Sequence, residues 1–322
     1  MKAAAKLSAY GAVLALVAGG AWAVGSAVGP LPVGAAGHDG SGGGDAGHGD
    51  DHGAAVAGAA QDQPAGLASS RGGYTLAPVD TALTAGTTDT FSFRVTGPDG
   101  AAVTAFDVEH DQRMHLIVVR RDTSGFRHVH PEMTPDGTWT ASLEVSGAGS
   151  YRVFADFRPT GGEATTLGVD VTAAGWFEPL EHAPSRVAVV DGYEVRLDGE
   201  LEPGAASPVT LTVSRAGEPV TDLEPHLGAY GHLVALRRGD LAYLHVHPEG
   251  APGDARTAAG PGIAFVAEVP SAGGYRLFLD FRHGGVVRTA EFTLTTRGTP
   301  EEPARTSTAP AGHGEEEEHG HG

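Results

Sequence analysis

The chain is 322 residues long, enough for two ordinary domains with linkers, and it sets 40 Asp+Glu against 21 Lys+Arg for a formal net charge of −19. That balance argues against nucleic acid and anionic lipid surfaces as partners, because both need their phosphates neutralised. There is no cysteine, which excludes disulfides, cysteine-ligated zinc, iron–sulfur clusters, thiol catalysis and blue copper.

The chain opens with Lys2 and Lys6 followed by an apolar run from Leu7 to Pro30. A basic start before an apolar run is an export signal. Residues 1–30 therefore read as a signal peptide, cut after Ala21-Trp22-Ala23, or as an uncleaved anchor helix with its N-terminus inside. Either outcome places the rest of the chain outside the cytoplasm, secreted or held at the cell membrane. Residues 31–73 include the Gly/His/Asp tract "GHDGSGGGDAGHGDDHG", and residues 298–322 end in "GHGEEEEHGHG". Neither composition can bury a core, so both read as disordered tethers whose histidines collect metal weakly.

Between these tracts the sequence repeats. "MHLIVVRR" from Met114 matches "GHLVALRR" from Gly231, "RHVHPE" from Arg127 matches "LHVHPE" from Leu244, and "YRVFADFR" from Tyr151 matches "YRLFLDFR" from Tyr275. The order is the same in both copies, which places a duplicated domain at residues 74–174 and 186–297 with a linker at 175–185. Each copy is a series of short runs rich in Val, Leu, Phe, Tyr and Thr, separated by Gly/Pro/Asp turns. That pattern predicts an all-β fold of two tandem Ig-like or cupredoxin-like sandwiches. Within "YRVFADF", Tyr151, Val153, Ala155 and Phe157 alternate with Arg152, Phe154 and Asp156, the pattern of a strand with one face buried.

The histidines fall on a predicted hairpin. In the second copy Gly239-Asp240 suits a two-residue turn. Its register pairs Arg238 with Leu241, Val234 with His245 and His232 with His247, so His232, His245 and His247 share one face. In the first copy the step from His115 to His128 is the same. An even loop keeps His115 with His128 and His130, whereas an odd loop reverses it. A further histidine precedes each hairpin, His110 and His226, and is read as a fourth ligand from a loop. Glu132, Glu249, Asp156 and Asp280 are candidates for orienting the ligands, with ion pairs to Arg158 or Arg282 the plainer role for the two aspartates. Met114 is a soft ligand only if its strand begins later. Pro131 and Pro248 end the strand or mark an edge, which puts the histidines near a sheet end with access for a metal.

Three imidazoles per repeat suit copper or zinc, and Cu²⁺ binds such donors most tightly. The chain resembles the exported bacterial copper-handling β-sandwich proteins, YtkA-like and CopC-like in the broad sense, and anchored actinobacterial proteins with a "HLVALRRGDLAYLHVHP"-type hairpin. The resemblance implies a sandwich that binds copper without catalysis. CopC-type coordination does not carry over, because no ligand histidine stands at a plausible mature N-terminus. The expectation is an extracytoplasmic metal-binding protein with one site per repeat, acting in sequestration, delivery or sensing. Its partners would be a metal ion and a membrane metal transporter or another exported metal protein. Two alternatives stay open: an Ig-like surface interaction module with structural histidines, and an enzyme. The enzyme would be a three-histidine zinc hydrolase or, given the His-x-His motif, a cupin.

Overall fold

In the computed structural model, residues 63–298 are described, apart from the side chains of His245 and His247; the expected N-terminal helix and both His-rich tracts lie outside these residues. Every regular element among them is a strand, and none is a helix able to cross a membrane. The duplication is visible as two pairs of sheets. The first pair has a five-stranded sheet, in the order Ser70–Arg71, Tyr74–Pro78, Thr88–Thr96, Thr138–Glu144 and Glu132–Met133. Facing it is a sheet in the order Ala82–Leu83, Thr165–Ala173, Gly149–Pro159, His115–Arg120 and Arg127–Val129. The second pair repeats this as Val187–Val190, Tyr193–Asp198, Ala206–Arg215, Gly262–Glu268 and His247–Pro248 against Tyr243–His245, Gly231–Arg237, Gly274–His283 and Val286–Thr295. The first sandwich thus begins a little before the expected Tyr74.

Each sandwich closes on its own core. Phe91, Phe93, Trp139, Tyr151, Val153 and Leu167 fill the first, and Tyr193, Leu211, Phe265, Tyr275, Leu277 and Phe292 the second. Met114 is buried in the first core, on the face away from His115, which removes it as a soft ligand.

The expectation of one buried face per strand fails, and the failure positions the site. The histidine-bearing sheets bury both faces. Ile117, Val119, Phe126 and Phe154 of the first repeat pack against Val234, Leu236, Leu241, Tyr243 and Phe278 of the second in a third apolar cluster. The contacts are reciprocal. Phe126 stacks on Phe278 with ring centroids 4.1 Å apart, and Tyr243, which stands where Phe126 does, meets Phe154, which stands where Phe278 does, at 5.5 Å. Matched patches meeting in this exchanged way resemble the contacts that a two-fold axis produces between identical subunits. Residues before the first strand seal the seam. The Tyr243 amide donates to Ala65 O, the Gly66 amide to Thr166 O, and Arg152 Nε and Nη2 to Gly66 O.

Candidate metal centre

The hairpins carry the predicted register by unpredicted routes. In the second repeat Val234 pairs with His245 and Leu236 with Tyr243. The loop is not Gly239-Asp240 alone but the four residues Arg238–Leu241, closed by Arg237 N to Ala242 O at 3.0 Å, with Leu241 at φ 63°. Adding a residue on each side leaves the register unchanged. In the first repeat Arg120 N donates to Ser124 O around a three-residue loop, the odd length that reverses faces. Yet Ile117 pairs with His128 and Val118 with Arg127. One extra residue in the returning arm, at Gly125 with φ 64°, forms a bulge that restores the facing. His115 and His128 therefore share the face that carries Ile117.

The second histidine of each motif leaves its hairpin. The strand Arg127–Val129 ends before His130. His247 pairs with Val266 of the opposite sheet, not with His232 as the register had implied. The His-x-His-Pro motif is therefore where the chain crosses from one sheet to the other.

Six of the eight predicted histidines gather at the seam. Ring centroids lie 5.3 Å apart for His115–His128, 5.1 Å for His115–His130 and 4.9 Å for His128–His130. His232 of the second repeat stacks on His115 at 5.5 Å and lies 4.9 Å from His128. His110 is 5.5 Å from His232, and His226 is 6.5 Å from His130. Among the described side chains these six histidines form one cluster across the junction, and the side chains of His245 and His247, which the expected second site would use, lie outside the described ones. The cluster's centre is buried, with His115 and His232 4% and 5% exposed, whereas His110, His130 and His226 are partly exposed. His115, His128 and His130 form a triad whose ligating nitrogens all lie within 4.8 Å of one another.

The outer nitrogens of two of these rings are committed. His128 Nδ1 meets Asp280 Oδ2 at 2.9 Å, and His115 Nε2 meets the Glu109 carbonyl oxygen at 3.0 Å. Both partners accept only, the Asp280 carboxylate in its charged form, so both outer nitrogens carry hydrogens. In neutral rings the inner nitrogens, His115 Nδ1 and His128 Nε2, are then bare lone pairs, and they face each other at 3.1 Å. Something positive belongs between them, a proton or a cation. Burial, partly offset by the hydrogen bond to the Glu109 carbonyl, pushes the His115 pKa down to about 4. His130 Nε2 is buried with no hydrogen-bond partner, and burial followed by the charges of His128 and His115 pushes that ring down to about 3. Two nitrogens on one ion with bonds of about 2.0–2.1 Å at tetrahedral angles sit about 3.3 Å apart.

The orienting carboxylates sort differently from the sequence reading. Asp280 accepts from Thr289 Oγ1 at 2.6 Å as well as from His128. Asp156 accepts from Thr166 Oγ1 at 2.8 Å, with the Tyr243 hydroxyl at 3.4 Å. The ion pairs expected for these aspartates belong to others: Arg158 pairs with Glu109 and Arg282 with Glu224. Glu132 and Glu249 are exposed. His110 and His226 are not equivalents either. Paired backbone bonds close Glu109 with Gln112 and His226 with Ala229, so His226 stands where the first repeat has Glu109. The Glu109 carbonyl and Tyr243 were missed altogether. The runs "HLIVVR" and "HLVALR" held the available signal, since strands buried on both faces lose their alternation.

The family model described as "Domain of unknown function (DUF8832)" matches the chain twice, at residues 69–175 and 188–298. The chain belongs to the DUF8832 family. No curated protein matches it. Among solved structures, the DUF8832 chain is similar to the Escherichia coli adhesin FdeC at 17% identity, covering 70% of this chain and 64% of that one, with a TM-score of 0.23. It is similar to invasin, a bacterial integrin-binding protein, at 13% identity, 68% and 39% coverage and a TM-score of 0.22. A putative membrane-anchored protein from Corynebacterium diphtheriae matches at 9% identity, 69% and 57% coverage and a TM-score of 0.21. The chain spans less than two thirds of each of these three.

Proposed function

We propose that this DUF8832 chain is an extracytoplasmic metal-binding protein whose ion is held by His115, His128 and His130 at the junction of its two sandwiches. The observation that carries this reading is the pair of inner nitrogens facing at 3.1 Å while their outer nitrogens are held by acceptors. An outer-nitrogen partner is how metal-binding histidines are fixed in tautomer and orientation. Nitrogen donors without thiolate favour Cu²⁺, with Zn²⁺ the alternative. The apolar start of the sequence would take the protein out of the cytoplasm. There it would sequester, deliver or sense the ion, with a membrane metal transporter or another exported metal protein as its partner. Metal analysis after loading with Cu²⁺ or Zn²⁺ and dialysis tests this. The wild type retains metal and His128→Ala/His130→Ala retains none; a wild type that retains none overturns the reading.

A second reading is an Ig-like surface interaction module in which the histidines cement the junction and a proton lies between His115 and His128. The names of the structural neighbours, an adhesin and an integrin-binding protein, stand on this side. It predicts no retained metal and a His128→Ala variant altered only in stability. We assign no catalysis. A hydrolytic centre needs a substrate beside its open coordination position, and no observation places one beside the triad.

A further inference from the structure

We infer that the ion is shared between the repeats, with the first supplying three nitrogens and the second orienting one of them and closing the coordination shell through His226. This rests on the metal reading above. The triad comes from one hairpin and the crossover after it, all in the first repeat. Three nitrogens leave a tetrahedral ion one position short, and the second repeat covers the cluster.

Three observations place the second repeat's groups there. Asp280, 152 positions along the chain from His128, accepts from its Nδ1 and is itself held by Thr289, so His128 Nε2 is aimed inward by the other domain. His232 lies flat against His115, with 9° between ring planes. It buttresses that ring and lies outside the group of converging nitrogens. His226 lies on the His130 side, 6.5 Å between ring centroids. It is half-buried, on a turn fixed by its paired bonds with Ala229 and by Leu227 at φ 55°. That turn holds its imidazole beside His130, the one member of the triad whose Nε2 has no partner.

The occupant is a divalent transition ion that accepts four nitrogen donors, Cu²⁺ or Zn²⁺. It joins both sandwiches, and its number is one per chain, not the two that a duplicated motif suggests. Asp280 is a positioning residue and His226 a ligand, so their losses read out differently.

The test uses the full chain loaded with Cu²⁺. Retained metal, affinity by competition with a chelator, and the nitrogen hyperfine pattern in electron paramagnetic resonance are measured for the wild type, Asp280→Asn and His226→Ala. Thermal unfolding checks that each is folded. The inference expects one retained equivalent in the wild type, affinity about 10–100-fold weaker in Asp280→Asn, and one coordinating nitrogen fewer in His226→Ala. If Asp280→Asn does not fold, the half-buried His226 position carries the test alone. A wild type that binds while His226→Ala keeps its affinity and spectrum overturns the shared centre and leaves the triad standing. Two equal equivalents in the wild type overturn it too. A wild type that retains no metal removes the underlying reading itself.

Discussion

The two repeats share a hairpin register but reach it differently, and they make unequal contributions to the junction. The first uses an odd loop corrected by a bulge at Gly125, and the second a four-residue loop ending on Leu241. Ahead of the hairpin, the first places Glu109 at the turn position where the second places His226. Glu109 does two jobs: its carbonyl holds His115 and its carboxylate pairs with Arg158. In the second repeat the pair to the matching Arg282 comes from Glu224, two residues earlier, which leaves the turn position for a histidine. A duplicated domain keeps its ladder because register errors move whole faces. Its loops are free to exchange roles, and here they make one half the holder of the triad and the other its cover.

The reciprocal stacks break or sharpen this comparison most strongly. Phe278→Ala removes the closely stacked ring of the junction and should destabilise the chain by about 3–5 kcal/mol in urea unfolding. Appearance of a separate early transition would show the repeats uncoupling. An effect below about 1 kcal/mol would mean the two sandwiches do not rely on that contact.

The next effect is in pH. His115 is held down to about 4 against an ordinary 6.5, chiefly by burial, so the unfolded chain takes up its proton first. Stability is full above about pH 6.5 and falls as pH drops toward 4, by about 3 kcal/mol from this residue alone. His115→Gln should flatten that slope in metal-free protein; an unchanged slope would assign the titration elsewhere. Tyr243→Phe should cost less, about 1 kcal/mol, because its hydroxyl reaches Asp156 only at 3.4 Å. Smallest of all, Glu132→Gln and Glu249→Gln should leave metal retention unchanged, since both residues are exposed. A tenfold loss in either would return the carboxylate of that motif to the site.

Much of this was legible in the residues. The repeat boundaries follow from matched motifs. The strands follow from short runs rich in Val, Leu, Phe, Tyr and Thr between Gly/Pro/Asp turns. The pairing of Val234 with His245 follows from the spacing of the hairpin arms and survived a wrong loop length, because the error was even. The equation of His110 with His226 was misleading, because matching by residue type ignores which backbone groups pair.

By itself the sequence determined two all-β copies and the facing of Val234 with His245 in the second hairpin, and it left the facing of His115 and His128 to the parity of a loop. Those are short-range consequences of a side-chain period of two and of hairpin pairing. Only the tertiary structure decided that this face is covered by the other repeat, that Asp280 reaches His128, and that six histidines share one seam. What covers the second face of a sheet depends on residues more than a hundred positions away, and no local period encodes their arrival.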